Sequence, residues 1–276
     1  SYKKYYESYL KNYDLISGSI DKKLGDRANC ENLIPLYNKD FEENWPKMND
    51  EEKMRWKYQR YMQDYLACIS SVDDNVGRVL NYLDQSKLAE NTLVVYTSDQ
   101  GFYLGEHGWF DKRFIYNESF KTPLLVRWPN QINPGITNEE MVQNLDFAQT
   151  LLEVAQIKAP EDMQGESLMP LLTSNELNWI RDAVYYHYYE YPAVHQVKRH
   201  YGIVTTDYKL AHFYYDIDEW ELYDRKNDPN EINNVFDDPK YATIVAEMKQ
   251  KLKETRIKYK DSEKLDNYYI ELYNKK

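Results

Sequence analysis

A chain of 276 residues can bury one large domain, or one domain with a smaller companion. Acidic residues outnumber basic ones by 46 to 35, a formal charge of −11, which argues against a nucleic-acid binder because that role needs a basic face. Two cysteines, Cys30 and Cys68, form neither a CxxC pair nor a Cys/His spacing, so no disulfide framework or zinc site is expected; no run of about 18 apolar residues offers a membrane span, and Ser1–Tyr6 lacks the apolar core of a signal peptide.

Residues 1–50 are polar and weakly periodic, punctuated by Gly18, Gly25, Pro35 and Pro46. From 50 to 85 the pattern becomes helical. Asn49 or Asp50 can cap the start, and Glu51 and Glu52 suit the N-terminal dipole. Tyr58, Tyr61, Met62, Tyr65, Leu66, Ile69, Val72, Val76, Val79, Leu80 and Leu83 recur at spacings of three and four. That stripe is expected to face a core, with Cys68 as a small buried hydrophobe and Asp73, Asp74 and Arg78 structural or solvated.

The densest chemistry follows, between Thr92 and Pro129. Leu93-Val94-Val95-Tyr96 is a short apolar run of the kind that fills a buried parallel strand. It stops at Thr97-Ser98-Asp99-Gln100-Gly101, which sets a carboxylate and an amide at a strand's end, where open α/β sheets build their sites. Both are hard oxygen donors, the type that calcium prefers. The next loop carries Glu106, His107, Asp111, Lys112 and Arg113, and a second apolar strand, Pro123–Trp128, closes the segment. Beyond it, Asp146–Ala155 reads as a helix with Asp146 as its cap.

A second unit is expected from about residue 175. Arg181–Tyr191 is strand-forming, followed by strands 203–206, 208–214 and 219–224 and a helix over about 239–259 with Ile244, Met248 and Leu252 on one face. His187, His195, His200 and His212 fall here, with Lys198 and Arg199 between them. In an acidic chain, an anion site must create its own positive field, and this cluster is the best local candidate. His195, Arg199 and His200 are therefore candidate substrate contacts, against a plainer reading as hydrogen-bonded strand and loop residues. Tyrosine is unusually common at 28 residues; its aromatic faces suit sugar stacking, although strand and helix packing accounts for most of it.

The string Ser98-Asp99-Gln100-Gly101, then Gly105-Glu106-His107-Gly108, Lys112 and the Thr122–Val126 strand resembles the second half of a sulfatase active site, most of all in enzymes acting on sulfated amino sugars and glycosaminoglycans. Tyr65–Arg78 resembles the family helix that precedes the metal strand, Gln164–Leu172 the exit from the main domain, and Glu221-Leu222-Tyr223-Asp224 followed by Asn227-Asp228-Pro229 and Asn233-Asn234 the C-terminal subdomain. The resemblance implies an α/β fold: the later part of an alkaline-phosphatase-like domain over residues 1–174, and a small α+β subdomain, an antiparallel sheet with a covering helix, over 175–276. It implies that Asp99 and Gln100 ligate Ca2+ and that Lys112 contacts the sulfate. His107 either touches substrate or shapes the site through hydrogen bonds. The family's early acidic pair and its Cys or Ser-x-Pro-x-Arg motif, whose first residue becomes formylglycine, match nothing here. The partners implied are thus a sulfated carbohydrate and the missing N-terminal half of the same protein, in a periplasmic or extracellular setting, and these residues are expected to be inactive alone. A phosphatase or phosphodiesterase of the same superfold and a non-catalytic carbohydrate-binding protein are the alternatives.

Overall fold

Helix α1, Asp50–Gln85, begins at a reciprocal cap: Glu52 N–H donates to Asn49 Oδ1 at 3.0 Å and Asn49 N–H donates to Glu52 Oε2 at 2.8 Å. The computed structural model describes residues 42–173, 179–193, 195 and 197–274. The chain divides into two compact units, Ser1–Gln85 and Ser86–Lys276. In the first, α1 runs for the expected length, but no residue of it is buried. Leu66, Ile69, Val72 and Val79 are exposed, as is Cys68, contrary to the expected core stripe. Helical spacing determines which face is apolar; it does not determine what covers that face. Among the described residues, no helix is long and apolar enough to cross a membrane.

In the second unit, β1 (Val94–Thr97) ends at the Asp99 loop as the sequence suggests. Its partner is antiparallel rather than parallel: β4 (Leu124–Arg127) pairs with it in the register Val94↔Arg127 to Thr97↔Leu124. Val95, Tyr96 and Leu125 are exposed, since among the described residues these two strands make a sheet only with each other. Between them lie a minimal hairpin, β2 (Tyr103–Leu104) with β3 (Phe110–Asp111), and one helical turn, α2 (Asn117–Phe120).

Helix α3, Asp146–Val154, has Asp146 as its first residue and not as its expected cap, since Leu145 holds the cap position without a side-chain bond. The buried Asp146 carboxylate accepts from Gln143 N–H at 2.8 Å and Glu166 N–H at 2.9 Å, and Arg181 closes a bidentate pair on it. One acid thereby ties three loops, a role that local sequence does not reveal. The short helix α4, Met169–Thr173, follows. The expected unit junction near residue 174 adjoins residues 174–178, which lie outside the described set.

The remaining strands form a four-stranded antiparallel sheet in the order β5 (Val184–Tyr188), β6 (His200–Val204), β7 (Tyr208–Phe213), β8 (Glu219–Asp224). Period-two alternation divides its side chains between two unlike faces. On one, Tyr201, Ile203, Leu210 and Leu222 pack with Met248 and Leu252 of α5 (Ala242–Lys258) and Ile270 of α6 (Glu263–Asn274). Helix α5 is the expected covering helix. Helix α6 lies beyond the elements expected from the sequence; it buries Asp266 and Ile270. The second face presents Tyr186, His200, Gly202, Lys209, Phe213, Glu221 and Tyr223, and the loop from Tyr103 to Asn117 lies against it: Phe114 stacks on His200, Tyr116 meets Tyr223, and Lys209 reaches Ile115.

Gly202 marks the closest approach. A Cβ there would lie 2.3 Å from Leu210 O and 2.7 Å from Ile115 Cδ1. Gly202→Ala should therefore cost about 1–3 kcal/mol through overpacking, read as a lower urea midpoint with an unchanged slope. An unaltered midpoint would mean that the loop does not sit this tightly on β6.

Candidate active site

An open cleft of about 1610 Å³ is lined by Asp99, Gln100, Lys112, Arg113, Asn117, Tyr186 and His187, among others. Three of the four residues expected from the strand-end motif, Asp99, Gln100 and Lys112, thus share one cavity. The turn after β1 is shaped by its own hydroxyls: Thr97 Oγ1 donates to Pro123 O and Ser98 Oγ to Gln100 O, each at 2.8 Å. Gly101 donates its N–H to Ser119 O at 2.8 Å, and a Cβ on it would collide with Glu118 O at 2.0 Å. The Asp99 carboxylate is exposed, and its hydrogen bond among the described residues is a long one from Ser98 Oγ, 3.5 Å. A carboxylate with spare lone pairs beside an amide carbonyl fits part of a calcium shell, which takes six to eight oxygens.

His107 is a different case. Its side chain is removed from solvent, its Nε2 lies 3.2 Å from Glu118 Oε2, and its ring stacks on Tyr116 at 5.1 Å. Burial alone would raise the Glu118 carboxyl, but the His107 hydrogen bond and local backbone contacts outweigh it and leave that group below its ordinary value. His107 therefore locks the loop to α2.

Lys112 is flanked by Asp111 and Arg113, both in the left-handed region at φ 81° and 98°. Such backbone costs on the order of 1–3 kcal/mol per residue and persists only where its surroundings impose it. Here they do. Ser119 Oγ accepts from Arg113 N–H at 2.8 Å, and Tyr186 OH donates to Arg113 O at 2.6 Å. The Arg113 guanidinium bonds Asp111 Oδ2 and also donates to His195 Nε2 at 2.7 Å, across 82 residues of sequence. Since arginine only donates, the His195 proton belongs on Nδ1, which faces Asp111 Oδ2 at 3.7 Å. Partial burial, and then the Arg113 charge, hold this imidazole below its ordinary pKa.

The expected histidine cluster is distributed over separate environments. Of the expected substrate contacts, His195 reaches the Lys112 loop. His200 is wholly buried between Phe114 and Phe213, accepts no solvent, and bonds Lys198 O through Nδ1 at 2.8 Å; burial pulls its pKa down to about 3. Arg199 is buried as well, bonded to Tyr191 O and Asp216 and set between the rings of Tyr191 and Tyr215. It fastens the loop that carries His195. His187, at a half-buried position, bonds Asp261 at 2.7 Å and Tyr214 OH at 2.8 Å. His187, Asp261 and Asp266 have metal-like spacing, with ligand atoms within 4.8 Å of one another. Arg256 already occupies that charge, donating to both Asp266 oxygens at 3.0 and 2.7 Å, and the Tyr185 and Tyr189 hydroxyls complete Asp261. It is a structural network. His212 stacks on Trp220 at 3.9 Å and bonds Tyr201 OH, a structural role.

Sequence reasoning missed the groups beneath the loop. Glu221 is fully buried, accepting from Tyr116 OH at 2.6 Å and Tyr223 OH at 3.1 Å, and burial pushes its carboxyl up to about 7. Lys209 and Glu231 form a buried ion pair at 2.6 Å. No local signal marks these residues as belonging to the site, because strand alternation specifies a face and not its occupant.

Residues 5–157 match the family model described as "Sulfatase", and residues 105–258 match "N-sulphoglucosamine sulphohydrolase, C-terminal". An N-acetylglucosamine-6-O-sulfatase of Bacteroides thetaiotaomicron is 55% identical over 211 residues, covering 75% of this chain and 38% of that protein. The uncharacterized sulfatase YidJ of Escherichia coli is 32% identical over 205 residues, again covering 38% of its length. The solved structure of BT4656 with its substrate D-glucosamine-2-N,6-O-disulfate superposes with a TM-score of 0.77 at 50% identity, over 84% of this chain and 46% of that one. The chain thus spans less than half the length of the relatives it matches.

Glu221 generates a pH prediction. Its folded pKa of about 7 lies above that of a free glutamate, about 4.3, so the folded state holds a proton that the unfolded state has released. Its contribution to stability is present below about pH 4 and is lost as pH rises to 7. Relative to Glu221→Gln, the wild type should therefore lose about 3 kcal/mol between pH 4.5 and 7.5, measured as the difference of their denaturation curves. A pH-independent difference would show that Glu221 is ionised in the fold.

Proposed function

Since this chain belongs to the sulfatase family, we propose that it supplies the later part of a site that hydrolyses sulfate esters of an amino sugar, with a glucosamine 6-sulfate as the favoured substrate. The observation that carries this reading is the convergence of Asp99, Gln100 and Lys112 on one cleft, and the substrate and activity of the relatives support the sugar. Asp99 and Gln100 would hold Ca2+ through carboxylate and amide oxygens; bound there, it would supply fixed positive charge for the sulfate oxygens. The formylglycine of the family, expected outside these residues, would supply the attacking oxygen.

This chain's residues do the remainder. The Lys112 ammonium offsets negative charge that grows on a sulfate oxygen and on the departing sugar oxygen, a preorganised interaction that strengthens toward the transition state. Arg113 presents N–H donors at the cleft, and His195, coupled to it at 2.7 Å, works with it to orient the sugar ring. Asp111 fixes the guanidinium and offers an acceptor. His107 works through Glu118, and Arg199 and His200 work through the fold, so that among His195, Arg199 and His200 it is His195 that touches substrate.

In the full-length protein, Lys112→Ala should lower kcat by about 10²–10³-fold with little change in KM. Retained turnover would remove Lys112 from the chemistry. Replacing His195 with Ala should instead raise KM for glucosamine 6-sulfate about tenfold while leaving a small aryl sulfate nearly unaffected, as expected for loss of one sugar contact; equal losses on both substrates would argue against a role in sugar recognition.

A further inference from the structure

The loop that carries Lys112 is held in strained backbone, and its holders are unequal. Ser119 and Tyr186 each hold one backbone group of Arg113. Lys209, with a wholly buried side chain, places its ammonium on three acceptors: Ile115 O at 2.8 Å, Asn117 Oδ1 at 3.1 Å and Glu231, whose two oxygens lie at 2.6 and 2.7 Å. Glu231 Oε2 in turn accepts the Asn117 N–H at 3.0 Å. All three lysine donors are used, and the ion pair grips backbone or side-chain groups at Ile115 and Asn117. Glu231 is itself held at φ 54°.

A buried ion pair is seldom more stabilising than a well-packed apolar pair of the same volume, so stability alone does not account for this one. What an apolar pair could not do is bind a carbonyl and an N–H two residues apart and so set the exit of the Lys112 loop. We propose that the Lys209–Glu231 pair is a positioning device for catalysis: it fixes Ile115–Asn117 and, through that segment, the placement of the Lys112 ammonium in the cleft. The inference rests on the reading of Lys112 given above. Lys209 and Glu231 do not touch substrate. They act through the loop, across the interface between the sheet and the strand-end site.

The test uses the full-length enzyme, with the pair replaced together, Lys209→Met with Glu231→Leu, so that no charge is left buried alone. The expected result is a folded protein whose kcat on glucosamine 6-sulfate falls by about 10²-fold, as for a displacement of about 1 Å, with KM within about threefold. In a Lys112→Ala background the same replacement should change kcat by less than about threefold, because the group it positions is already gone. A folded pair-replaced enzyme with wild-type kcat, or losses that multiply fully with that of Lys112→Ala, would overturn the proposal. Should Lys112→Ala itself leave kcat intact, the functional reading fails and takes this proposal with it; a large Lys112→Ala loss beside an inert pair replacement overturns only the positioning role. Asn117→Ala, which removes one Lys209 acceptor and leaves the pair intact, guards against a misfolded double variant. It should lower kcat about five- to tenfold while lowering the melting temperature by only a few degrees, and an unchanged kcat would count against the device.

Discussion

The second unit depends on a grip between a sheet face and a loop. Four inward-pointing polar groups of the antiparallel sheet, Tyr186, Lys209, Glu221 and Tyr223, meet the segment Arg113–Asn117, and each contact joins residues more than 70 positions apart in sequence or braces one that does. A loop with two left-handed residues cannot keep that form alone. Buried in a low-dielectric layer, these bonds are stronger than in water, and every unmet partner would be costly. The loop's shape is therefore a property of the sheet.

This explains why the sheet has two unlike faces. The face toward α5 and α6 is an ordinary core of Ile203, Leu210, Leu222, Met248 and Leu252. The other combines aromatic stacking of Trp109, Phe114, His200 and Phe213 with buried charges. Apolar burial supplies the bulk of the cohesion, and the polar contacts supply geometry. A purely hydrophobic face would bind the loop without choosing its conformation.

Charge is handled locally. The chain is acidic as a whole, yet Lys112 and Arg113 both line the cleft, and His195 and Asp111 lie beside the Arg113 guanidinium. Acids elsewhere are matched within the fold: Asp146 by Arg181, Asp266 by Arg256, Glu231 by Lys209. Matching the structural charges inside the fold leaves the cleft's cations available for an anion.

Much of this was readable from residues alone. The helix at 50–85, the strand that ends in Asp99 and Gln100, the four later strands and the helix over them follow from periodicity, turn chemistry and branched or aromatic composition, all of which are local. The cleft grouping of Asp99, Gln100 and Lys112 was legible because thirteen or fewer residues separate them and a strand end orients them. Burial was not. The α1 stripe and the β1–β4 pair are apolar yet exposed, while Arg199, His200 and Lys209 are polar yet buried. Which histidine meets the Lys112 loop was equally hidden, since His195 bonds Arg113 across 82 residues and His200 turns inward on the same short stretch. Sequence by itself determined the elements and the chemistry carried at one strand end, because backbone periodicity and side-chain type act over a few residues. Only the tertiary structure decided which charges support the loop and which face the cleft, because that depends on pairings between segments whose separation in the chain carries no information about their distance in space.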